Sequence, residues 1–345
     1  MDDVARLPVV DRRDVFAASA ARRGINLALV EKDFWVCWSL KQIFSRPGPP
    51  ASLVFKGGTS LSKVWAVIDR FSEDVDLSFN RGDLGFGGDA DPAMATSKKK
   101  RDRQLEHLSE VCATLIEDVF VPGLKTTFAR VLATPHGDQW RLEIDPEDKQ
   151  TVLFHYPAIV PRSTSTDKMY LRPFVKLELG ARSEHWPSED AKIRPFAAEE
   201  VPSAFTSPEC AVRVVGAERT FWEKVTILHS WYHAAPGRPL RDRQSRHYYD
   251  VFKLYQSSIG ASAIVNLELL RSVARHKAVF FAAAWAKYEE AVPGTLRLAP
   301  PDFRLPELER DYALMRNEMI FGPAPALGEL LDTLRSIEQR VNRPH

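Results

Sequence analysis

The chain has 345 residues, 44% of them hydrophobic and 27% charged, which is the balance of a soluble globular protein and a length that suits two domains. Its 47 basic and 46 acidic side chains leave a formal charge of +1, so no global positive field gathers nucleic acid, and a polyanion would have to meet a local patch. Cys37, Cys112 and Cys210 have no paired spacing, which argues against a disulfide framework or a zinc site and suits a reducing cytoplasm. No signal-peptide pattern opens the sequence, and no stretch approaches the roughly 18 apolar residues of a membrane span.

In chain order, apolar residues at helical spacing from 11 to 44 predict two helices broken at Gly24, and the proline-rich residues 46–50 stop the second. Leu53, Val54 and Phe55 form a short apolar run into Gly57 and Gly58, with a helix expected over 59–69. Over 72–79, Val75, Leu77 and Phe79 alternate with Asp74, Asp76 and Ser78, which predicts a strand. A glycine-rich loop follows at 82–91, and a basic run at 97–103 leads into a helix ending near Phe120. Strands are expected at 126–133, 140–145, 151–156 and 174–179, and a proline-rich boundary at 187–208. Beyond Ser207 the pattern is helical, around 216–233, 245–257, 263–290 and 325–341, with a loop at 293–306.

The segment from Lys56 to Leu77 combines two chemical devices. Gly57 and Gly58 let a strand turn tightly into a helix, whose first amides, helped by the Thr59 or Ser60 hydroxyl, can face phosphate oxygens. Asp74 and Asp76, two apart on a strand, share a face at a separation of about 7 Å. Hard carboxylate oxygens suit Mg2+, and two ions there would neutralise a triphosphate and activate an attacking hydroxyl. Either device alone is commonly structural; together they point to nucleotidyl transfer, because like charges held close on one strand call for a cation.

The run Gly57-Gly58-Thr59-Ser60-Leu61 through Arg70-Phe71-Ser72-Glu73-Asp74-Val75-Asp76-Leu77 resembles the first motif of the AbiEii/AbiGii toxin family, a MenT-like branch of the polymerase β-type nucleotidyltransferases. Residues 30–36 are similar to a segment preceding that motif in the same family. The resemblance implies an α+β fold: a polymerase β-like nucleotidyltransferase domain of mixed sheet and flanking helices, here residues 1–205, followed by a helical domain, 206–345. It also implies a third acid on a neighbouring strand, holding metal or acting as a base. Alternation at 175–179 makes Glu178 the first choice, beside Lys176 on one face, with Asp145 and Glu143 as rivals.

In the helical half, Lys224 edges an apolar stripe of Phe221, Val225, Leu228 and Tyr232 and resembles the family lysine that contacts nucleotide phosphates. Asp250 closes the segment 241–251, which resembles the last family motif, and would orient Lys224 or the nucleotide. Arg246 and Asp250 could equally be a supporting pair four residues apart on a helix, and His247 a packed helix residue. Basic clusters at 98–103 and 238–246 are candidate RNA contacts, or solvated surface. The resemblance implies a bacterial toxin that uses an NTP and Mg2+ to modify RNA, tRNA first among acceptors, with an antitoxin encoded alongside. Transfer to a protein or small molecule uses the same site, and a non-catalytic nucleotide-binding module is the competing class.

Overall fold

The computed structural model describes residues 1–46, 51–72, 74–136, 139–159 and 172–343. The expected helix stop at 47–50 and Glu73 of the quoted motif lie outside the described residues. In chain order the elements are α1 (Asp2–Arg6), α2 (Val9–Arg23), α3 (Leu27–Phe44), β1 (Leu53–Lys56), α4 (Gly57–Lys63), β2 (Asp74–Phe79), α5 (Lys98–Leu115), α6 (Val121–His136), β3 (Arg141–Asp145) and β4 (Asp148–His155). They continue with β5 (Val175–Gly180), β6 (Ser188–Ile193), α7 (Phe196–Glu200), β7 (Cys210–Val215), α8 (Ala217–Tyr232), α9 (Ser245–Tyr255), α10 (Ser258–Val265), α11 (Leu267–Phe280), α12 (Leu305–Glu318) and α13 (Leu327–Val341).

Two compact units result, and the chain passes between them more than once. The first comprises Met1–Val64, Ser72–Asp91 and Glu106–Val214; the second comprises Trp65–Phe71, Pro92–Leu105 and Val215–His345. A single crossing at 205/206 was the sequence-based expectation, because an excursion as short as 65–71 leaves no composition signal.

The first unit is built on a mixed seven-stranded sheet of order β3-β4-β5-β2-β1-β7-β6. The carboxylate strand β2 is central, antiparallel to β1 and parallel to β5. One sheet face carries Val152, Phe154, Val175, Leu177, Val75 and Leu77, all nearly inaccessible. Against it pack Trp35 and Trp38 of α3 and Phe128 of α6, each within 6 Å of the Phe154 ring. Full burial of each such ring stabilises the fold by about 2–3 kcal/mol. The opposite face carries the charged residues of β2 and β5.

Helix α3 is apolar nearly all round and buried, as such a helix must be. It also buries three consecutive charges, each with its own partner. Glu31 accepts from Ile159 N–H at 2.8 Å, Lys32 donates to the Arg172 carbonyl at 3.1 Å, and Asp33 pairs with Lys63 of α4 at 2.7 Å while accepting from Phe196 N–H at 2.6 Å. Burial pushes the Glu31 carboxyl up to about 7 and raises Asp33, although Lys63 opposes the latter.

Three expectations are corrected. Residues 126–133, expected as a strand, lie in helix α6, where Leu124, Phe128, Val131 and Leu132 are buried at 3.6-residue spacing. Residues 210–215 are strand β7, whose Val212 and Val214 point inward. The helix after Gly57 ends at Lys63 rather than near 69.

In the second unit, Phe221, Trp222, Val225 and Leu228 of α8 are fully buried, and α8 packs against α9, α10 and α11. Asp311 caps α9 by accepting from Arg243 N–H at 2.6 Å and Ser245 N–H at 2.7 Å. No helix among the described residues is long and apolar enough to cross a membrane.

Candidate active site

Strand β1 runs directly into α4 at Gly57, whose φ of +81° favours glycine. A Cβ at this position would meet Asp76 Oδ2 at 1.9 Å and Cγ at 2.7 Å. The turn is therefore seated against the Asp76 carboxylate, and only glycine fits between them. Lys56, the residue before the first turn of α4, places no side-chain cap on it.

The hydroxyls of Thr59 and Ser60 do different work from the expected phosphate contact. Thr59 Oγ1 donates to the Asp74 carbonyl and lies 3.3 Å from that of Ser72; Ser60 Oγ donates to the Gly57 carbonyl at 2.8 Å. Both residues are buried. Thr59 thus pins α4 to the start of the carboxylate strand, and Ser60 pins the glycine turn.

Register extends the site across the sheet. Asp76 is flanked by Lys56 on β1 and Glu178 on β5, and Asp74 by Lys176; partners in register project to the same face. Asp74, Asp76, Lys176 and Glu178 are accordingly all half-accessible on the face opposite the aromatic core. Lys176 forms an ion pair with Glu178. Burial lowers the Lys176 pKa, but the carboxylates of Glu178, Asp74 and Asp145 outweigh it and hold the ammonium charged. Glu143 is engaged by His155 at 2.7 Å and Arg141 at 3.1 Å.

Among the described residues, no three His, Cys, Asp or Glu side chains are grouped so as to hold a metal by themselves. Of the expected trio, Asp76 and Glu178 stand in register on neighbouring strands and Asp74 lies on the same face, with Glu178 paired to Lys176. A pair of carboxylates does fit magnesium, which commonly takes one or two protein carboxylates and fills its remaining positions with substrate phosphates and water.

In the helical unit, Asp250 is fully buried and accepts from Arg70 Nε and Nη2, each at 2.7 Å, and from Lys224 Nζ at 2.7 Å. Burial opposes the carboxylate charge, but Arg70 and then Lys224 outweigh it and hold the carboxyl well below its usual range. Burial in turn lowers the Lys224 pKa, with Asp250 opposing and Arg70 adding to the fall. His247 is pushed well below its usual range by burial and by the cations of Lys224 and Arg246, which leaves it neutral.

The basic run Lys98, Lys99, Lys100 and Arg103 is exposed on α5. By contrast, the 238–246 segment is partly consumed by packing: Arg238 lies over the Trp285 ring at 4.3 Å, and its carbonyl accepts from Arg304. Sequence reasoning gave no role to Arg70 or Lys176. Both stand within segments singled out for their acids, and a basic residue beside an acidic pair is the signal that could have found them.

Comparison with known proteins bears on this geometry. Residues 38–339 match the family described as nucleotidyl transferase AbiEii toxin, type IV TA system. The fold resembles MenT4, a nucleotidyltransferase toxin from Mycobacterium tuberculosis H37Rv, with a TM-score of 0.53 and 16% identity over 96% of this chain and 90% of that one. A search of curated proteins found no match. With the family matched over most of its length and the carboxylate strand and glycine turn joined in one site, the chain belongs to the AbiEii family of nucleotidyltransferase toxins.

Proposed function

We propose that this toxin is a magnesium-dependent enzyme that transfers NMP from an NTP to an RNA acceptor, with tRNA as the acceptor class and an antitoxin encoded alongside. The observation that carries the reading is the fit of Gly57 against Asp76: it sets the glycine turn beside a strand bearing two carboxylates on one face. Asp74 and Asp76 would hold magnesium, which when bound neutralises the triphosphate and favours departure of pyrophosphate. The amides at Gly57 and Gly58 receive phosphate oxygens, while Thr59 and Ser60 hold the turn in shape.

The acceptor hydroxyl attacks the α-phosphorus, the bond to the β-phosphate oxygen breaks, and pyrophosphate leaves. Glu178, in register beside Asp76, is the third acid, which would join Asp74 and Asp76 in holding the metal or take the hydroxyl proton. Lys224, oriented by Asp250, has the role of the phosphate-contacting lysine that the family resemblance implies. The exposed basic run on α5 meets the RNA backbone.

The test is incubation of the purified protein with magnesium, each NTP labelled at the α-phosphate, and either total RNA or total protein. Label in RNA of tRNA size, absent when the label is on the γ-phosphate, supports the reading. Label in protein moves the acceptor to a polypeptide, and no label anywhere, with growth arrest persisting in Asp76→Asn, makes the protein a non-catalytic nucleotide binder. Glu178→Gln should retain NTP binding and lose about 100-fold in transfer rate.

A further inference from the structure

The charged face of the sheet carries cations among its acids. On β5, Lys176 stands in register beside Asp74 and Glu178 beside Asp76; on β1, Lys56 stands on the other side of Asp76. Neighbouring strands lie about 4.8 Å apart, so acids and lysines alternate over β1, β2 and β5. Asp74, Asp76 and Glu178, held that close, repel one another. The Lys176 ammonium is ion-paired with Glu178. Against the cost of its own burial, its charge is favoured by Glu178 first, then by Asp74 and Asp145.

The pair is made in a way that lets it open. Its side chains are 35% and 40% exposed, and a half-exposed ion pair contributes only about 0–1 kcal/mol. By contrast, the Asp33–Lys63 pair of the same unit is 4% exposed on each side and would leave a buried charge behind if parted. A divalent ion beside Asp74 and Asp76 brings twice the charge of an ammonium to the same oxygens, which is enough to part the weaker pair.

We propose that Lys176 is the resting counter-ion of the carboxylate face: without metal it neutralises Glu178, and it gives up that carboxylate when a divalent cation binds at Asp74 and Asp76. The inference rests on the reading of Asp74 and Asp76 as the metal-holding acids. An ammonium that competes for these carboxylates keeps affinity for the bare ion low. A lysine whose work is to hold Glu178 in position for the ion has the opposite consequence, because its removal weakens metal binding.

The experiment is titration of the full-length, nucleotide-free protein with Mn2+, which like magnesium suits carboxylate oxygens, free ion being counted by electron paramagnetic resonance. The proteins are wild type, Lys176→Met, Glu178→Gln, the double variant of these two, and Lys176→Met with Asp76→Asn. Thermal unfolding of each, with and without Mn2+, shows that it is folded. Lys176→Met is expected to bind Mn2+ about tenfold more tightly than wild type. The same change made in Glu178→Gln is expected to gain less than about threefold, since the carboxylate to be released is already neutral. A general loss of positive charge predicts equal gains in the two backgrounds. Equal gains, or unchanged or weaker binding in Lys176→Met, overturn the proposal. Asp76→Asn is expected to abolish the tighter binding. Affinity unaltered by it sinks the reading of the acids on which the proposal rests, whereas binding lost in Asp76→Asn with no gain in Lys176→Met sinks the proposal alone.

Discussion

At Gly57 one hydrogen atom in place of a methyl group decides the geometry beside the Asp76 carboxylate. Gly57→Ala must both adopt a positive φ and displace the Asp76 carboxylate, since the added Cβ would lie 1.9 Å from Oδ2. The strain costs about 1–3 kcal/mol. Misplacement of the acid should lower transfer by about 100-fold, read by label incorporation together with thermal unfolding. Glu31 offers a second test. Its carboxyl is pushed up to about 7 by burial, so the folded protein binds that proton more tightly than the unfolded chain. Its stabilising contribution is complete below the ordinary glutamate range and is lost as pH rises through about 7. Glu31→Gln, whose amide oxygen can still accept from Ile159, should remove that fall and make the protein more stable than wild type at pH 8 by roughly 2–3 kcal/mol. Equal pH dependence in denaturant titrations of the two proteins would count against it.

Between elements, the Asp33–Lys63 pair ties α3 to α4, the helix that opens at Gly57. Lys63→Met leaves a buried carboxylate without its cation and should cost about 3–5 kcal/mol in denaturant unfolding; a loss below 1 kcal/mol would show that Asp33 is held by Phe196 N–H alone. At this scale the reach of the sequence is also visible. Strand β2 was legible because its alternation has one dry face and one charged face. Helices α3, α8, α9 and α13 were legible because their buried stripes are long. Strand β7 was hidden by its brevity and by the helical patterns after it. Helix α12 went unnoticed behind the prolines at 293–306. The shared face of Asp74 and Asp76 could be read from their spacing, whereas the Arg70–Asp250 contact joins residues 180 apart, which no local pattern encodes.

For the molecule as a whole, a formal charge of +1 means that any grip on RNA comes from a patch rather than a global field. Replacing Lys98, Lys99 and Lys100 by alanine should weaken RNA binding, flatten its dependence on salt by two to three counterions, and leave NTP affinity unchanged. Filter binding across a salt series checks this; an unaltered slope would place the RNA contact elsewhere.

The short excursion at 65–71 carries a consequence for synthesis. The peptide that leads into the carboxylate strand is hydrogen-bonded to residues 319–321, near the far end of the chain. On the ribosome, those partners emerge long after residues 65–71, so this backbone pairing forms later than the local bond by which Thr59 holds the start of β2. A chain stopped short of residue 319 lacks these partners, so the 65–71 peptide takes its final shape only once that segment has been made.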